Sequence, residues 1–106
     1  MIEALQIKDV VNKITTNYNL ERIFLFGSHA KGYYTEDSDL DFILIMDSTV
    51  PKIKRGLEVR RLFYRSPIPI DLKIYTSFEF NEELASQYSF LSSAIKESKL
   101  LHERKD

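Results

Sequence analysis

Three short apolar segments constrain the fold of this chain more than any other feature. They lie at 22–26, 39–46 and 70–75. A buried strand suits such lengths better than a helix does, and 70–75 also alternates apolar and polar residues with the period of a strand. Stretches with helical spacing precede and separate these segments, so the sequence predicts an α/β (α+β) fold in which helices pack on a sheet.

The predicted helices follow from residue spacing. Before the first strand, apolar residues recur every three or four positions, at Ile7, Val10, Val11, Ile14 and Tyr18. A basic helix is predicted between the prolines at 51 and 67, and another helix runs from 77 to about 97, with a break near Ser86. Residues 28–38 are predicted to form one helical turn and a loop. Residues 99–103 fit either a last short strand or a continued helix.

Length and composition predict one domain over residues 1–106, with a frayed tail at 98–106. The formal charge of −1 lacks the broad positive field typical of proteins that grip long nucleic acids. The sequence contains no cysteine, which excludes disulfides and thiolate chemistry. No apolar run approaches the roughly 20 residues that a membrane span needs. We therefore expect a cytoplasmic protein without direct nucleic-acid or membrane binding.

A Gly-Ser pair and two aspartates form the first part of a candidate site. Gly27 and Ser28 come where the first strand ends, and a glycine there lets the backbone approach a phosphate. Asp39 and Asp41 are two residues apart on a predicted strand, so both carboxylates leave the same face. Because two adjacent anions repel each other, the pair favours a hard divalent cation such as Mg²⁺. Each part alone is common in proteins, and taken alone a simple turn or a surface acidic pair is the favoured interpretation.

A third carboxylate strengthens this interpretation. Asp71 lies on the polar face of the third predicted strand. If that strand lies beside the second, three carboxylates converge and can hold two Mg²⁺ ions. Transfer of a phosphoryl-type group needs mainly positioning and positive charge from the protein, so the site needs no nucleophilic side chain.

These residues resemble the minimal nucleotidyltransferases of the DNA polymerase beta superfamily. The hallmark of that family is Gly-Ser, ten residues, then Asp-x-Asp, and the spacing from Ser28 to Asp39 matches it. The resemblance implies a small nucleotidyltransferase fold, with a mixed sheet, helices on one face and an open active-site face. It also implies that Gly27, Ser28 and Lys31 bind the nucleotide, ATP or another NTP. Its metal and catalytic residues would be Asp39, Asp41 and Asp71.

Lysines stand at two positions where members of this family usually carry other residues. Lys31 replaces a common arginine, and a lysine meets phosphate as a point charge without a bidentate grip. Lys73 lies on the same face as Asp71, where relatives are usually apolar. It is expected either to bind phosphate or to form a salt bridge with an aspartate.

Three further groups of residues have both a functional and a structural interpretation. Tyr33 and Tyr34 fit stacking on a nucleobase or a surface loop. A solvated helix face is favoured over a site for phosphate, an RNA strand or an acidic partner for the basic cluster, which comprises Lys52, Lys54, Arg55, Arg60, Arg61 and Arg65. Core packing is favoured over an interface for a set of apolar residues, which comprises Ile2, Leu5, Phe78, Phe80, Phe90 and Leu91. No site role is predicted for His29 or His102.

The resemblance also implies a partner. Minimal nucleotidyltransferases act with a small helical HEPN toxin and serve as its antitoxin by transferring AMP to a partner tyrosine. The leading hypothesis is therefore a Mg²⁺-dependent protein adenylyltransferase in a hetero-oligomer, and a homo-oligomer stays open. Two alternatives are a non-catalytic antitoxin that binds its partner with a vestigial nucleotide site, and a small-molecule nucleotidyltransferase that modifies an antibiotic.

Overall fold

The computed structural model describes residues 4–32, 39–52, 54–66 and 69–104. The elements follow one another in the order α1 (Ala4–Asn17), β1 (Arg22–Phe26), α2 (Ser28–Lys31), β2 (Leu40–Ile45), α3 (Gly56–Arg61), β3 (Ile70–Tyr75), α4 (Ser77–Leu84), α5 (Phe90–Lys96) and β4 (Lys99–Glu103). The three predicted strands are thereby confirmed, and residues 99–103 form a strand rather than a continuation of the last helix.

A four-stranded mixed sheet organises the molecule, with the strand order β3-β2-β1-β4. Strand β1 runs antiparallel to both β2 and β4, whereas β2 and β3 are parallel. Parallel neighbours need a crossover connection, and helix α3 lies within the segment that joins them. Because β2 and β3 run in the same direction, residues at the start of each strand lie at the same end of the sheet.

Apolar side chains leave both faces of the central strands, so helices pack on both. Leu40, Phe42 and Leu44 of β2 belong to a core cluster that includes residues of α1 and α3. Ile43 and Ile45 belong to a second cluster that includes residues of α4 and α5. The mixed sheet and the small α/β fold are as predicted. The prediction placed helices on one face, and α4 and α5 also cover part of the other, because β2 is apolar on both sides.

The second half of the chain breaks its helix near the predicted position. Helix α4 begins with a capping box in which Thr76 and Glu79 exchange side-chain and backbone hydrogen bonds. It ends at Leu84, and α5 starts after Ser89, whose hydroxyl accepts a hydrogen bond from the backbone N–H of Ser92. Two locally capped short helices therefore replace one long one.

A buried arginine holds the end of the sheet where β2 and β3 finish. Arg55 is 8% exposed, and it donates hydrogen bonds to the carbonyl oxygens of Val50 (2.8 Å) and Ile74 (3.2 Å). It also pairs with the Glu79 carboxylate, and this hydrogen bond holds the pKa of Glu79 below its ordinary value. The prediction of a solvated face for the basic cluster is wrong for Arg55, because its guanidinium group has buried acceptors that the sequence does not reveal.

Candidate active site

Two aspartates face each other across the parallel strands. Asp41 and Asp71 are register partners, and each is the second residue of its strand. Alternation along β2 places Asp41 on the same face as Ile43 and Ile45, which is the face that α4 and α5 partly cover. Asp39 lies just before β2 and is exposed. Strand three does lie beside strand two, as the sequence interpretation required.

Charge accumulates at this end of the sheet. Burial raises the pKa of Asp41 above its ordinary value, and the negative charges of Asp71 and Asp39 raise this pKa further. Lys73 and His29 act in the opposite direction. A bound cation would stabilise the ionised form of a carboxylate whose pKa is raised by two neighbouring carboxylates. The electrostatics therefore fit an ion-binding or catalytic site.

Gly27 gives this end of the sheet its shape. Its φ angle is 76°, a left-handed conformation that favours glycine. A Cβ atom at this position would collide with a carboxylate oxygen of Asp41. The positive φ favours glycine here, and a side chain at this position would also displace the Asp41 carboxylate, on which the Gly27 backbone borders.

Ser28 and Lys31 belong to the short helix that follows Gly27. Ser28 is the first residue of α2, and Gly32 closes this helix with a left-handed φ of 89° and a hydrogen bond from its N–H to the Ser28 carbonyl oxygen (2.9 Å). The Lys31 ammonium lies 2.8 Å from a carboxylate oxygen of Glu97, beyond the end of α5. The predicted phosphate ligand is thus engaged in an ion pair between two helices, an arrangement that only the tertiary fold reveals.

Lys73 forms one of the two contacts expected for it. Its Nζ atom lies 3.5 Å from Oδ2 of Asp71 and 5.5 Å from the centroid of the Phe90 ring. Both members of the pair are about 40% exposed, so solvent weakens their attraction. The contact partly neutralises Asp71 and leaves its carboxylate open to solvent on one side.

The carboxylates supply the donor chemistry for Mg²⁺ without forming a closed cage. Among the residues that the structure describes, no three carboxylate or imidazole groups converge as a metal site. Asp41 and Asp71 nevertheless offer hard oxygen donors on adjacent strands, with Asp39 close enough to raise the pKa of Asp41. Mg²⁺ usually combines one or two carboxylates with water and substrate phosphate oxygens. The residues present therefore fit a cation that arrives with a nucleotide.

His29 is a residue of this end that sequence reasoning missed. Its side chain is 6% exposed on α2, directly after Ser28, and it bears on the charge of Asp41. A histidine next to a Gly-Ser turn was the available signal. The sequence alone does not predict a role for it, because no histidine or cysteine lies near enough to suggest a metal site.

The apolar residues and tyrosines singled out in the sequence lie partly in the core, partly at the surface and partly outside the described residues. Phe80 and Leu91 lie in the core as predicted, whereas Leu5 and Phe78 are about 70% exposed. Phe90 is half exposed. Ile2, Tyr33 and Tyr34 lie outside the described residues. Over the described ranges, every helix is too short or too polar to cross a bilayer.

The chain shares sequence and fold with proteins that transfer nucleotides. A family model described as "Nucleotidyltransferase domain" matches residues 7–102. A candidate protein adenylyltransferase of Methanocaldococcus jannaschii is 28% identical over 96% of this chain and its own whole length. A second candidate protein adenylyltransferase of that organism is 36% identical over 52% of this chain and 54% of its own length.

Solved structures share the fold. A candidate nucleotidyltransferase from Sulfolobus solfataricus superposes with a TM-score of 0.65 at 23% identity, covering 92% of this chain and 78% of that one. A chain of a toxin–antitoxin complex with AMP-PNP gives the same score and identity, with coverage of 92% and 73%. A chain from a tri-AMPylated Shewanella oneidensis HEPN toxin in complex with MNT antitoxin gives 0.60 at 19% identity, covering 97% and 74%.

Proposed function

Because the chain belongs to the nucleotidyltransferase domain family, whose model matches residues 7–102, we propose that it transfers AMP from ATP to a hydroxyl group of a protein. The observation that carries the proposal is the pairing of Asp41 with Asp71 across β2 and β3, with the Gly27 backbone against Asp41. The adenylyltransferase relative that matches over its whole length supports a protein as the acceptor.

The proposed acceptor is a tyrosine of a HEPN toxin, which makes the chain an antitoxin. Toxin–antitoxin complexes supply several of its structural neighbours, one with AMP-PNP and one with an AMPylated HEPN toxin. We extend that setting to this chain as part of the proposal. The exposed Phe78 and Leu5 side chains leave apolar surface available for a partner.

The proposed chemistry assigns a role to each candidate residue near the start of β2 and β3. The Gly27 backbone and the Ser28 hydroxyl bind the triphosphate. Mg²⁺ held by Asp39, Asp41 and Asp71 would supply the positive charge that offsets the phosphate charge. Asp71 orients the acceptor hydroxyl and accepts its proton, while the hydroxyl oxygen bonds to the α-phosphorus of ATP. The bond from that phosphorus to the pyrophosphate oxygen breaks, and pyrophosphate leaves with the bonding electron pair.

Mass spectrometry of the partner tests this function. The chain is incubated with a purified HEPN protein, ATP and Mg²⁺, and the intact mass of the partner is measured. We expect mass increments of one AMP residue on the partner, located on a tyrosine by peptide mapping. A partner that forms a stable complex with the chain and gains no mass would refute the assignment.

The Lys73–Asp71 ion pair favours a second candidate function. An ammonium group 3.5 Å from Asp71 competes with a metal ion for that carboxylate. A chain with a vestigial nucleotide site would then neutralise its partner by contact alone. Asp39→Asn with Asp41→Asn separates the two functions, because inhibition of the partner's activity persists in the double variant under the contact model and is lost under the transfer model.

A further inference from the structure

A cavity of about 480 Å³ opens beside Asp71 along the outer edge of β3. Its lining includes three cationic side chains, those of Lys52, Arg60 and Lys73, and two carboxylates, those of Asp71 and Glu83. A Glu83 oxygen already accepts hydrogen bonds from the Tyr75 hydroxyl and the Leu91 N–H. Lys52 and Arg60 come from the segment between β2 and β3, and both are exposed. The cavity therefore adjoins the carboxylate assigned to the acceptor hydroxyl and is separate from the Gly27-Ser28 turn.

The three cations are held in place by specific contacts. Arg60 donates a hydrogen bond to the carbonyl oxygen of Leu72 (3.2 Å), and Gly56 makes room for it, since a Cβ atom at 56 would lie 2.9 Å from a guanidinium nitrogen. The Nζ atom of Lys52 lies 4.3 Å from the centroid of the Tyr75 ring. An aromatic ring favours a cation over its face and still leaves the ammonium free to donate hydrogen bonds.

The backbone of β3 adds donors to the same edge. Strand β3 is the last strand of the sheet, and the carbonyl oxygens of Pro69 and Tyr75 accept hydrogen bonds from the β2 side. Those of Leu72 and Ile74 face the other way, toward Arg60 and Arg55. In a strand the N–H of a residue points to the same side as its C=O. The N–H groups of Leu72 and Ile74 therefore point to the open edge of the sheet and add backbone donors to those of the cationic side chains.

From this arrangement we propose that the cavity is the acceptor subsite and selects an acceptor that carries negative charge next to its hydroxyl group. The inference rests on the proposed transfer to a protein hydroxyl and specifies its acceptor. Lys52 and Arg60 bind the anion, and the half-exposed Phe90 ring offers an apolar surface beside Lys73 and Asp71 for the acceptor's aromatic ring. The anion is either a carboxylate of a neighbouring residue or the phosphate of an AMP already attached to the acceptor tyrosine. In the second case the tyrosine oxygen is esterified, and a ribose hydroxyl of the attached AMP accepts the next AMP.

Peptides with a single tyrosine test the proposal. Fluorescein-labelled versions with flanking glutamates, glutamines or lysines, and a version whose tyrosine carries AMP, are titrated with the chain, and binding is followed by fluorescence anisotropy. We expect the glutamate peptide or the AMP peptide to bind at least about fivefold more tightly than the glutamine peptide, and the lysine peptide to bind most weakly. The stronger of the two anionic peptides identifies the source of the charge. Equal affinities for all four would overturn the proposal.

Charge reversal at Lys52 tests whether the preference for anionic peptides arises in the cavity. Lys52→Glu should weaken binding of the preferred anionic peptide about five- to tenfold and leave the glutamine peptide unchanged. Lys54→Glu makes the same change in net charge two residues away, at an exposed residue outside the cavity lining, and should have little effect. Equal losses in the two variants would mean that only net charge matters, which contradicts a defined subsite.

The binding assay also separates this inference from the proposed function. It needs neither ATP nor catalysis, so a chain that selects anionic peptides but never transfers AMP would refute the transferase proposal alone. With ATP and Mg²⁺ present, Lys52→Glu should raise KM for the preferred peptide by the same factor and leave kcat unchanged. AMP transfer that shows no preference among the peptides would refute the subsite alone.

Discussion

The two ends of the β2–β3 pair treat charge in opposite ways. At the start of the strands, Asp41 and Asp71 lie side by side, and burial and like charge raise the pKa of Asp41. At the far end, Arg55 is buried against backbone carbonyl oxygens and Glu79, and the pKa of Glu79 is lowered. We name these the carboxylate end and the arginine end. The arginine end stabilises the fold, whereas under the proposed function the carboxylate end binds a ligand at a cost in stability.

The largest expected effect is on activity at the carboxylate end. Asp41→Asn should reduce AMP transfer about a thousandfold, because several kcal/mol of charge stabilisation in the transition state are lost. The same substitution should raise the free energy of unfolding by about 1 kcal/mol, because it removes a repelled carboxylate. Transfer assays and urea denaturation check the two effects. A variant that loses stability together with activity would contradict the contrast between the ends.

The largest expected loss of stability is at the arginine end. Arg55→Met should lower the free energy of unfolding by about 3 kcal/mol, because it leaves buried acceptors and the Glu79 carboxylate without their donor. Arg61→Met, an exposed change in helix α3, should stay within about 0.5 kcal/mol of the wild type. Urea denaturation of both variants measures the difference. Equal stability of the two would show that the Arg55 contacts contribute nothing.

Two glycines with positive φ, 76° at Gly27 and 89° at Gly32, differ in ψ and in their contact with Asp41. Gly27→Ala should cost about 2 kcal/mol of stability and also reduce AMP transfer, because the new methyl group displaces the Asp41 carboxylate. At Gly32 a Cβ atom would have nothing within 4 Å, so Gly32→Ala should cost about 1 kcal/mol from its left-handed φ alone. Thermal unfolding and transfer rates check both variants. If Gly27→Ala and Gly32→Ala reduced the rate of AMP transfer equally, the contact between Gly27 and Asp41 would have no role in transfer.

The smallest expected effect is a pair of opposite pH dependences. The lowered pKa of Glu79 gives stability that is present above its ordinary value of 4.5 and is lost as pH falls through the folded-state pKa. The raised pKa of Asp41 gives stability that is present below 3.8 and is lost as pH rises through its folded-state pKa. In the wild type, the Glu79 contribution to the free energy of unfolding decreases as pH is lowered, and this decrease should be absent in Glu79→Gln. The Asp41 contribution decreases as pH is raised, and this decrease should be absent in Asp41→Asn. Parallel curves for the two variants would be inconsistent with opposite shifts.

Patterns among neighbouring residues predicted three of the strands, but not the contacts that these strands make with the rest of the chain. The alternation at 70–75 and the spacing from Ser28 to Asp39 are properties of neighbouring residues, so the chain order alone reveals them. The fate of residues 99–103 stayed open because strand β4 has adjacent leucines at 100 and 101 and mostly exposed positions, so it shows neither a helical nor a strand period.

Contacts between distant segments could not be predicted. Arg55 looks like any surface arginine until the carbonyl oxygen of Ile74 comes within its reach. The pairing of Lys31 with Glu97 joins helix α2 to the residue that follows α5, and no local pattern specifies it. The register that sets Asp41 opposite Asp71 likewise depends on a crossover through α3. The candidate residues of the site can thus be named from sequence patterns, whereas their charge partners cannot.

Calorimetric titration of the chain with AMP-PNP tests the central claim most directly, in the presence of Mg²⁺ and in the presence of EDTA. The account predicts binding that requires Mg²⁺ in the wild type, is lost in Asp41→Asn and persists in Gly32→Ala. Binding of equal strength with EDTA, or in Asp41→Asn, would contradict a nucleotide site built on the carboxylates of β2 and β3.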